Sequence, residues 1–353
     1  MYDRKLVLAD GAVFRGTGFG GTDSVVADVV FTTGMTGYQE VVSDPSYYGQ
    51  MVVMTYPLIG NYGINDGDFE DFMPAVSALI VKEHCTAPSN WRSRKSLDEY
   101  LKQSGIPGLC NVDTRALTIH IREKGEIRAI IVDSSVSNED ALAKLSETPL
   151  LRRHVTQVST QIIYRAPGEK HRIVLMDFGV KRGIVQDLTR RGCEVIVAPF
   201  DTTAETINNL NPDGIMLSNG PGDPKDVPEA IETIKQVQVR YPIFGIGLGH
   251  QLFALANGAD TKKMKFGHNG GKPVKDLQTG KTHITSQNHV YQVDENSLAG
   301  TDLELTHRAL NDKSVEGVRH KKYNAFTVQF HPEACPGPSD AAYIFDRFIE
   351  NLA

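Results

Sequence analysis

The hydrophobic pattern of the first part of the chain, to about residue 150, consists of short β-type runs separated by glycine turns. Two of these runs flank Asp10-Gly11, a dipeptide that favours a two-residue turn, so they predict a β-hairpin. Residues 97–103 show a helical pattern, and Asp113 is placed to cap another helix. Because strands and helices mix here without an internal repeat, we predict a smaller α+β domain over residues 1–150.

From residue 172 onwards, buried-strand runs alternate with amphipathic helical patterns. The apolar run at 173–176 is followed by a helical pattern at 183–191, and the strand-like runs at 194–198 and 215–217 precede another helical pattern at 228–239. Strands that alternate with helices in this way indicate right-handed βαβ units and a parallel sheet. We therefore predict an α/β domain with an open, mostly parallel sheet over residues 172–353. The polar and basic residues 151–171 are predicted to link the two domains.

The segment 242–251 is predicted to be the centre of this second domain. An apolar strand meets the glycine-rich turn Gly245-Ile246-Gly247-Leu248-Gly249, and a helical pattern follows at once. This layout is typical of a nucleophile elbow, in which a tight turn exposes one side chain beside backbone N–H groups that can hold an oxyanion. The exposed position is Gly247, so the sequence predicts the architecture of a nucleophile site without its nucleophile.

Two further segments follow predicted strands, and their ends should lie at the same edge of the sheet. Residues 218–224 contain Gly220 and Gly222, which allow backbone N–H groups to approach an anionic ligand, although a tight surface turn would have the same composition. His331 and Glu333 follow the apolar run 325–330 and suit a general base with its orienting carboxylate. A His-x-Glu pair alone is more often a surface pair, but an elbow on the same sheet favours the catalytic interpretation.

Composition and charge exclude several other classes of protein. The net charge of −6 gives no electrostatic reason to expect nucleic acid or an anionic membrane as a partner. No apolar run approaches the roughly 18–20 residues of a membrane span, and the four cysteines form no Cys-x-x-Cys pair. We expect a cytoplasmic protein without a metal site. The dinucleotide fingerprint that Gly245-Ile246-Gly247 begins is interrupted by His250, where a third glycine belongs.

Together, these motifs resemble a known family. The second half is similar to class I, triad-type glutamine amidotransferases. The whole chain, from near residue 5 to near residue 348, resembles the small subunit of carbamoyl-phosphate synthetase. The segments 31–40 (Phe-Thr-Thr-Gly-Met-Thr-Gly-Tyr-Gln-Glu), 44–47 (Asp-Pro-Ser-Tyr) and 55–63 (Thr-Tyr-Pro-Leu-Ile-Gly-Asn-Tyr-Gly) carry the likeness to that subunit.

The resemblance implies an activity and a set of site residues. Members hydrolyse glutamine through a Cys–His–Glu triad and pass ammonia through a tunnel to a large subunit, which makes carbamoyl phosphate with ATP and Mg²⁺ for pyrimidine and arginine synthesis. By position, the resemblance assigns His331 as the base, Glu333 as its carboxylate and Gly247 as the nucleophile position. The implied glutamine-binding positions are Ser46, Gly220, Gly222, Leu248, Gln251, Asn288, Val290 and Tyr291.

The chain departs from the family pattern at three places around this site. Gly247 replaces the cysteine, Val290 stands where the family has glycine, and residues 266–274 are shortened and altered. The mechanism needs a thiolate, which His331 cannot replace. Cys335 lies two residues beyond Glu333 but would have to approach substrate from the loop side, away from the oxyanion donors of the elbow.

Two functional interpretations remain open on the sequence alone. The first is a small chain that supplies ammonia to a large synthetase subunit, with its own glutaminase step lost through Gly247. The alternative is a catalytically dead pseudo-glutaminase that acts as a scaffold, an ammonia conduit or a regulatory subunit. In both, no cofactor is expected on this chain, since ATP and Mg²⁺ belong to the large subunit, and we expect the fold of the elbow to be kept.

Overall fold

A computed structural model describes residues 2–352 of the chain, which form two compact units. The first unit runs up to Leu151 and includes Lys265–Asn269, and the second holds Arg152–Met264 and the residues from Gly270 onwards. Among the described residues, no helix is long and apolar enough to cross a membrane.

The first unit is built around a closed β-barrel. The barrel and its small accessory sheet contain β1 (Tyr2–Leu8), β2 (Val13–Gly20), β3 (Val25–Thr32), β4 (Gln50–Met54), β5 (Leu58–Ile59), β6 (Ala78–Ile80), β7 (Glu83–His84), β8 (Pro107–Cys110) and β9 (Ile127–Asp133). The order around the barrel is β1-β2-β8-β6-β4-β3-β9, and β5 pairs with β7. The hairpin predicted around Asp10-Gly11 is confirmed, since Val7 pairs with Val13 across the turn.

Four helices accompany the barrel, which confirms the mixed α+β character expected of this part. They are α1 (Tyr38–Ser43), α2 (Leu97–Gln103), α3 (Thr114–Lys124) and α4 (Asn138–Glu147). Asp113 caps α3 as predicted, because its side chain accepts a hydrogen bond from the Ala116 N–H. Leu6, Val29, Met51 and Ile80 belong to the buried apolar core of the barrel.

The second unit is an α/β domain around a ten-stranded sheet. Its helices are α5 (Val155–Val158), α6 (Arg182–Arg190), α7 (Ala204–Leu210), α8 (Pro228–Val237), α9 (Leu248–Ala256) and α10 (Tyr343–Glu350). Its strands are β10 (Tyr164–Ala166), β11 (Arg172–Asp177), β12 (Glu194–Pro199), β13 (Gly214–Leu217), β14 (Ile243–Ile246), β15 (Thr261–Asp276), β16 (Thr282–Val293), β17 (Leu303–Ala309), β18 (Val315–His320) and β19 (Ala325–Val328).

The sheet has the order β10-β12-β11-β13-β14-β19-β18-β17-β15-β16. Strands β12, β11, β13, β14 and β19 are mutually parallel, as the alternating pattern predicted. Strand β10 pairs with β12 in antiparallel orientation, and so do β19 with β18, β18 with β17 and β17 with β15. The predicted linker 151–171 is therefore partly structured, because it contains α5 and the edge strand β10.

Side-chain alternation along β11 shows how the sheet buries both faces. Val174 and Met176 pack into one apolar cluster with residues of α7, α8 and α9, whereas Ile173 and Leu175 pack into another with residues of α6 and α10. Successive side chains of a strand point to opposite faces, so a strand covered on both faces needs an unbroken apolar run. The carboxyl ends of β11, β13, β14 and β19 then carry the polar loops that form the candidate site.

Two buried histidines make the stability of the second unit pH-dependent. His250 is fully buried, and its Nδ1 lies 2.8 Å from the Thr327 hydroxyl. Burial lowers the pKa of His250 to about 3 and that of His307 to about 4. In the folded state both rings therefore stay neutral at pH values where the unfolded chain already takes up protons.

We predict that the free energy of unfolding falls as the pH is lowered from about 6.5 to 5, with a slope that approaches about 1.4 kcal/mol per pH unit for each of these histidines. Urea denaturation followed by circular dichroism at pH 7.5, 6.5 and 5.5 would measure it. His250→Asn keeps an amide that can form a hydrogen bond with the Thr327 hydroxyl. This variant should reduce the dependence of the unfolding free energy on pH by the contribution of one histidine. A slope that is unchanged in this variant would contradict the assignment.

Candidate active site

The elbow between β14 and α9 contains Gly245, Gly247 and Gly249, and glycine suits each position for a different structural reason. A Cβ at Gly249 would lie 2.5 Å from the Leu217 carbonyl oxygen, and one at Gly245 would lie 2.8 Å from the Thr327 Cγ2, so neither position has room for a side chain. Gly247 differs, because its φ of 57° and ψ of −112° strain a residue with a Cβ, yet the nearest atom to such a Cβ would be 3.4 Å away. The backbone of the elbow thus retains the shape that presents a side chain at position 247.

The elbow is held against the ends of both neighbouring parallel strands, β19 and β13. The Gly247 N–H donates to the Val328 carbonyl oxygen at 3.0 Å, and the Gly249 N–H donates to the Ser218 carbonyl oxygen at 2.9 Å. Leu248 begins α9, so its N–H has no acceptor within the helix and lies at the positive end of the helix dipole. This is the arrangement that stabilises an oxyanion at a nucleophile elbow.

His331 and Glu333 lie together in the loop that follows β19, three and five residues beyond Val328. His331 Nδ1 lies 2.7 Å from the Glu333 Oε1, and both side chains are buried. The His331 N–H donates to the Ser286 carbonyl oxygen at 2.8 Å, which holds the loop against β16. Among the described residues, His331 Nε2 has no hydrogen-bond partner. With Nδ1–H donated to the carboxylate, Nε2 is left as an acceptor that could take a proton from a substrate or nucleophile.

Lys181 supports this pair, although no sequence motif pointed to it. Its Nζ lies 3.1 Å from the Glu333 Oε1 and donates to the Ala334 carbonyl oxygen at 2.7 Å. Burial alone would raise the pKa of Glu333, but Lys181 and His331 outweigh it and hold that pKa below its ordinary value. Lys181 follows β11 by four residues, so its place beyond the carboxyl end of a predicted parallel strand was the signal that could have found it.

The loop 218–224 lies beyond β13 at the same edge of the sheet. A Cβ at Gly220 would lie 2.2 Å from the Phe178 carbonyl oxygen, and one at Gly222, whose φ is +90°, would lie 2.7 Å from the His154 Nδ1. These steric contacts within the second unit are enough to explain why both positions are glycine, without any contact to a ligand. Their assignment to glutamine binding stays a prediction.

The other implied substrate positions fall into two groups. Gln251 and Tyr291 are brought together, since Gln251 Nε2 donates to the Tyr291 carbonyl oxygen at 2.8 Å and to the Gln329 Oε1 at 2.9 Å. Asn288 and Val290 lie in β16 near Tyr291 in sequence, and the Asn288 Nδ2 has no partner among the described residues. Val290 has no positive φ, so its β-branched side chain is accommodated by regular strand geometry.

Ser46 belongs to the first unit, in the 3₁₀ turn Pro45–Tyr47, where the Asp44 carboxylate accepts its N–H at 2.8 Å.

The altered stretch 266–274 lies within β15, where Gly270 has a φ of 85°. Cys335 is exposed, whereas Cys193 is buried and burial raises the pKa of its thiol to about 11. Neither cysteine belongs to the elbow.

The comparisons with known proteins identify the family of this chain. Residues 174–351 match the family model for class-I glutamine amidotransferases, which defines the class of the second unit. Residues 6–131 match the model described as the carbamoyl-phosphate synthase small chain, CPSase domain.

Close relatives extend over nearly the whole chain. It is 59% identical over 350 residues to the carbamoyl phosphate synthase pyrimidine-specific small chain of Bacillus subtilis, with 99% of this chain and 96% of that protein covered. It is 56% identical over 353 residues to the carbamoyl phosphate synthase small chain of Fusobacterium nucleatum, with 100% and 99% covered. The chain therefore belongs to the carbamoyl-phosphate synthase small-chain family, as its motifs suggested.

A solved glutamine amidotransferase from Thermotoga maritima superposes on 47% of this chain and 77% of its own, with a TM-score of 0.38 at 15% identity. A likeness of this degree adds nothing to the family assignment.

The glycines of the elbow should differ in their tolerance of a methyl group. We predict that Gly247→Ala lowers the free energy of unfolding by about 1–3 kcal/mol, which is the cost of backbone strain where there is space. Gly249→Ala should cost more or prevent folding, because its Cβ would overlap the Leu217 carbonyl. Urea denaturation of both variants measures the difference, and an equal or reversed order would show that the elbow does not have this backbone.

The buried Lys181–Glu333 pair should behave as one electrostatic unit. Lys181→Met leaves the Glu333 carboxylate without its main positive partner and should cost about 3–5 kcal/mol of folding free energy. Adding Glu333→Gln removes the unbalanced charge, so the double variant should be more stable than Lys181→Met alone. Additive losses in this double-mutant cycle would show that the two side chains do not interact.

Proposed function

We propose that this chain is the small subunit of a carbamoyl-phosphate synthase whose complex uses free ammonia, because its own glutaminase step is lost. The observation that carries the proposal is Gly247 at the centre of an elbow after β14, with His331 and Glu333 paired and buried after the adjacent parallel strand β19. A base, its carboxylate and oxyanion donors are of no use for thioester formation without a sulfur atom to attack the carboxamide.

The expected size of the loss follows from general enzyme kinetics. Removal of one member of a catalytic triad commonly costs on the order of 10³-fold or more in rate, and loss of the nucleophile is at the upper end. The positions that the resemblance implies for glutamine in the second unit, such as Gln251 and Tyr291, offer hydrogen-bonding groups and no nucleophile. Glutamine binding is therefore separable from glutamine hydrolysis in this chain.

The partner and the cellular context form part of the same proposal. The family assignment implies a large synthetase subunit, which would hold ATP and Mg²⁺ and carry out carbamoyl phosphate synthesis. We place the complex in the cytoplasm. The close relative from Bacillus subtilis is named as pyrimidine-specific, which favours a role in pyrimidine rather than arginine synthesis.

Reconstitution with a large subunit tests the proposal. We predict that the complex makes carbamoyl phosphate from ammonium but not from glutamine, and that Gly247→Cys raises the glutamine-dependent rate by about 10³-fold or more. The ammonium-dependent rate of the same two preparations is the control for assembly.

Glutamine-dependent synthesis by the unaltered chain at the rate of Gly247→Cys would contradict the proposal. Absence of both activities, with a complex that still forms, would instead favour the alternative of a regulatory pseudo-glutaminase.

A further inference from the structure

A buried glutamine follows the elbow by one turn of α9. Gln251 is four residues after Gly247, and its N–H donates to the Gly247 carbonyl oxygen at 3.3 Å. Residues four apart follow each other along one face of a helix, so Gln251 lies one turn beyond the elbow. The family resemblance assigns it to glutamine binding, and its side chain is almost fully buried.

The orientation of the Gln251 amide is set by two neighbouring oxygen atoms. Gln251 Nε2 lies 2.8 Å from the Tyr291 carbonyl oxygen and 2.9 Å from the Gln329 Oε1. A backbone carbonyl oxygen only accepts, so the Gln251 atom that faces it has to be the nitrogen, and Gln329 has to present its oxygen to that nitrogen. Both Nε2 hydrogens are thereby used. The Gln251 amide has only its Oε1 left for a ligand.

Gln329 lies directly after β19 and beside the elbow. Its N–H donates to the Glu316 carbonyl oxygen in β18 at 2.9 Å, and its own carbonyl oxygen would be 4.0 Å from a Cβ at position 247. The residue is completely buried. The backbone of Gln329 is therefore held by the sheet, and its side chain reaches Gln251 from a fixed position.

The amide of Gln329 is not explained by packing or stability. Within residues 2–352 its side chain forms one hydrogen bond, to Gln251, and its Nε2 has no partner. A buried amide nitrogen without an acceptor destabilises the folded state, and an apolar side chain of similar length would avoid that penalty. What the amide does supply is an acceptor for the second hydrogen of Gln251 Nε2.

We propose that Gln329 is a positioning residue, whose oxygen holds the Gln251 amide so that Gln251 Oε1 accepts a hydrogen bond from a nitrogen donor of the bound ligand. On L-glutamine that donor is an N–H group of either the α-ammonium or the carboxamide. The inference rests on the proposed function, in which glutamine binding is kept although hydrolysis is lost. It deepens that function by naming the residue that orients a binding side chain and the kind of ligand group that this side chain recognises.

Two acceptors constrain the amide more than one acceptor does. The Tyr291 carbonyl alone would decide which end of the Gln251 amide faces it, but the amide could still rotate and its second N–H would be free. A free N–H near the ligand's own N–H group would repel it. Gln329 removes both possibilities, so its loss should affect ligand affinity more than the folded structure.

The test measures L-glutamine binding to the full chain by calorimetry, together with unfolding in urea. Gln329→Met keeps the side-chain length and removes both the acceptor and the unpaired nitrogen. We expect the dissociation constant to rise about five- to tenfold, the range of one ordinary hydrogen bond, while the urea midpoint stays unchanged or rises. Thr327→Val is the matched control, because it removes a buried hydrogen bond to His250 from the same strand and should lower stability without changing affinity.

Gln329→Glu changes stability and orientation in the opposite sense. A carboxyl group still presents an oxygen to Gln251 Nε2, but a buried charge destabilises the fold. We expect this variant to bind L-glutamine no more weakly than the unaltered chain, while its urea midpoint falls. A purely structural role of Gln329 would instead make affinity follow stability in all three variants.

Two analogues identify the nitrogen donor. Glutaramate lacks the α-ammonium of glutamine, and L-glutamate lacks the carboxamide N–H groups. The analogue without the recognised donor should bind Gln329→Met and the unaltered chain equally, whereas the other should lose affinity in the variant. Equal losses for both analogues would show that Gln251 does not recognise a nitrogen donor.

A kinetic measurement separates positioning from catalysis. In Gly247→Cys assembled with a large subunit, adding Gln329→Met should raise the KM for glutamine about five- to tenfold and change kcat less than about twofold. A fall in kcat with an unchanged KM would contradict a role in ligand binding.

Several results would overturn the positioning role. These are unchanged affinity in Gln329→Met, failure of that variant to fold, an equal loss of affinity in Thr327→Val, or no binding of L-glutamine by the unaltered chain. Failure of the proposed function is distinguishable, because it would appear as ammonia release from glutamine by the unaltered chain, whether or not Gln329→Met weakens binding.

Discussion

The candidate site depends on the burial of one negative charge. Glu333 lies in the interior of the second unit, and such a carboxylate is stable only if positive and hydrogen-bonding groups surround it. Lys181, beyond β11, and His331, beyond β19, supply them at 3.1 Å and 2.7 Å. The charge therefore ties the ends of two strands together and fixes the imidazole with Nδ1 toward the carboxylate. Its other nitrogen, Nε2, is left available as a base.

The fold and the chemistry of this site are separable for a physical reason. The elbow is shaped by the contacts of Gly245 and Gly249 with neighbouring strands, and these contacts do not involve the side chain at position 247. A glycine at 247 relieves backbone strain at a φ of 57°, so the elbow survives the change and its local stability rises. The thiolate, in contrast, is a chemical requirement with no structural substitute. The catalytic step can therefore be lost without any loss of architecture.

Much of this could be predicted from the sequence because the determinants are local. Apolar runs that alternate with helical patterns predicted the parallel part of the sheet, and the glycine-rich turn predicted the elbow and its empty position. His331 and Glu333 are two residues apart, so their pairing was accessible to motif analysis. Lys181 and the antiparallel extension from β18 to β16 were not predicted, since both depend on contacts between segments far apart in the chain. The closure of the first unit into a barrel was missed for the same reason.

The most direct test of the account is the binding of L-glutamine to the unaltered chain, measured by calorimetry while ammonia release is followed in the same solution. We predict saturable binding without turnover, and turnover of the same ligand once Gly247→Cys is introduced. Ammonia release by the unaltered chain at the rate of the cysteine variant would contradict the claim that the site lacks only its nucleophile. Absence of binding in both proteins would contradict it equally, because the pocket itself would then be lost.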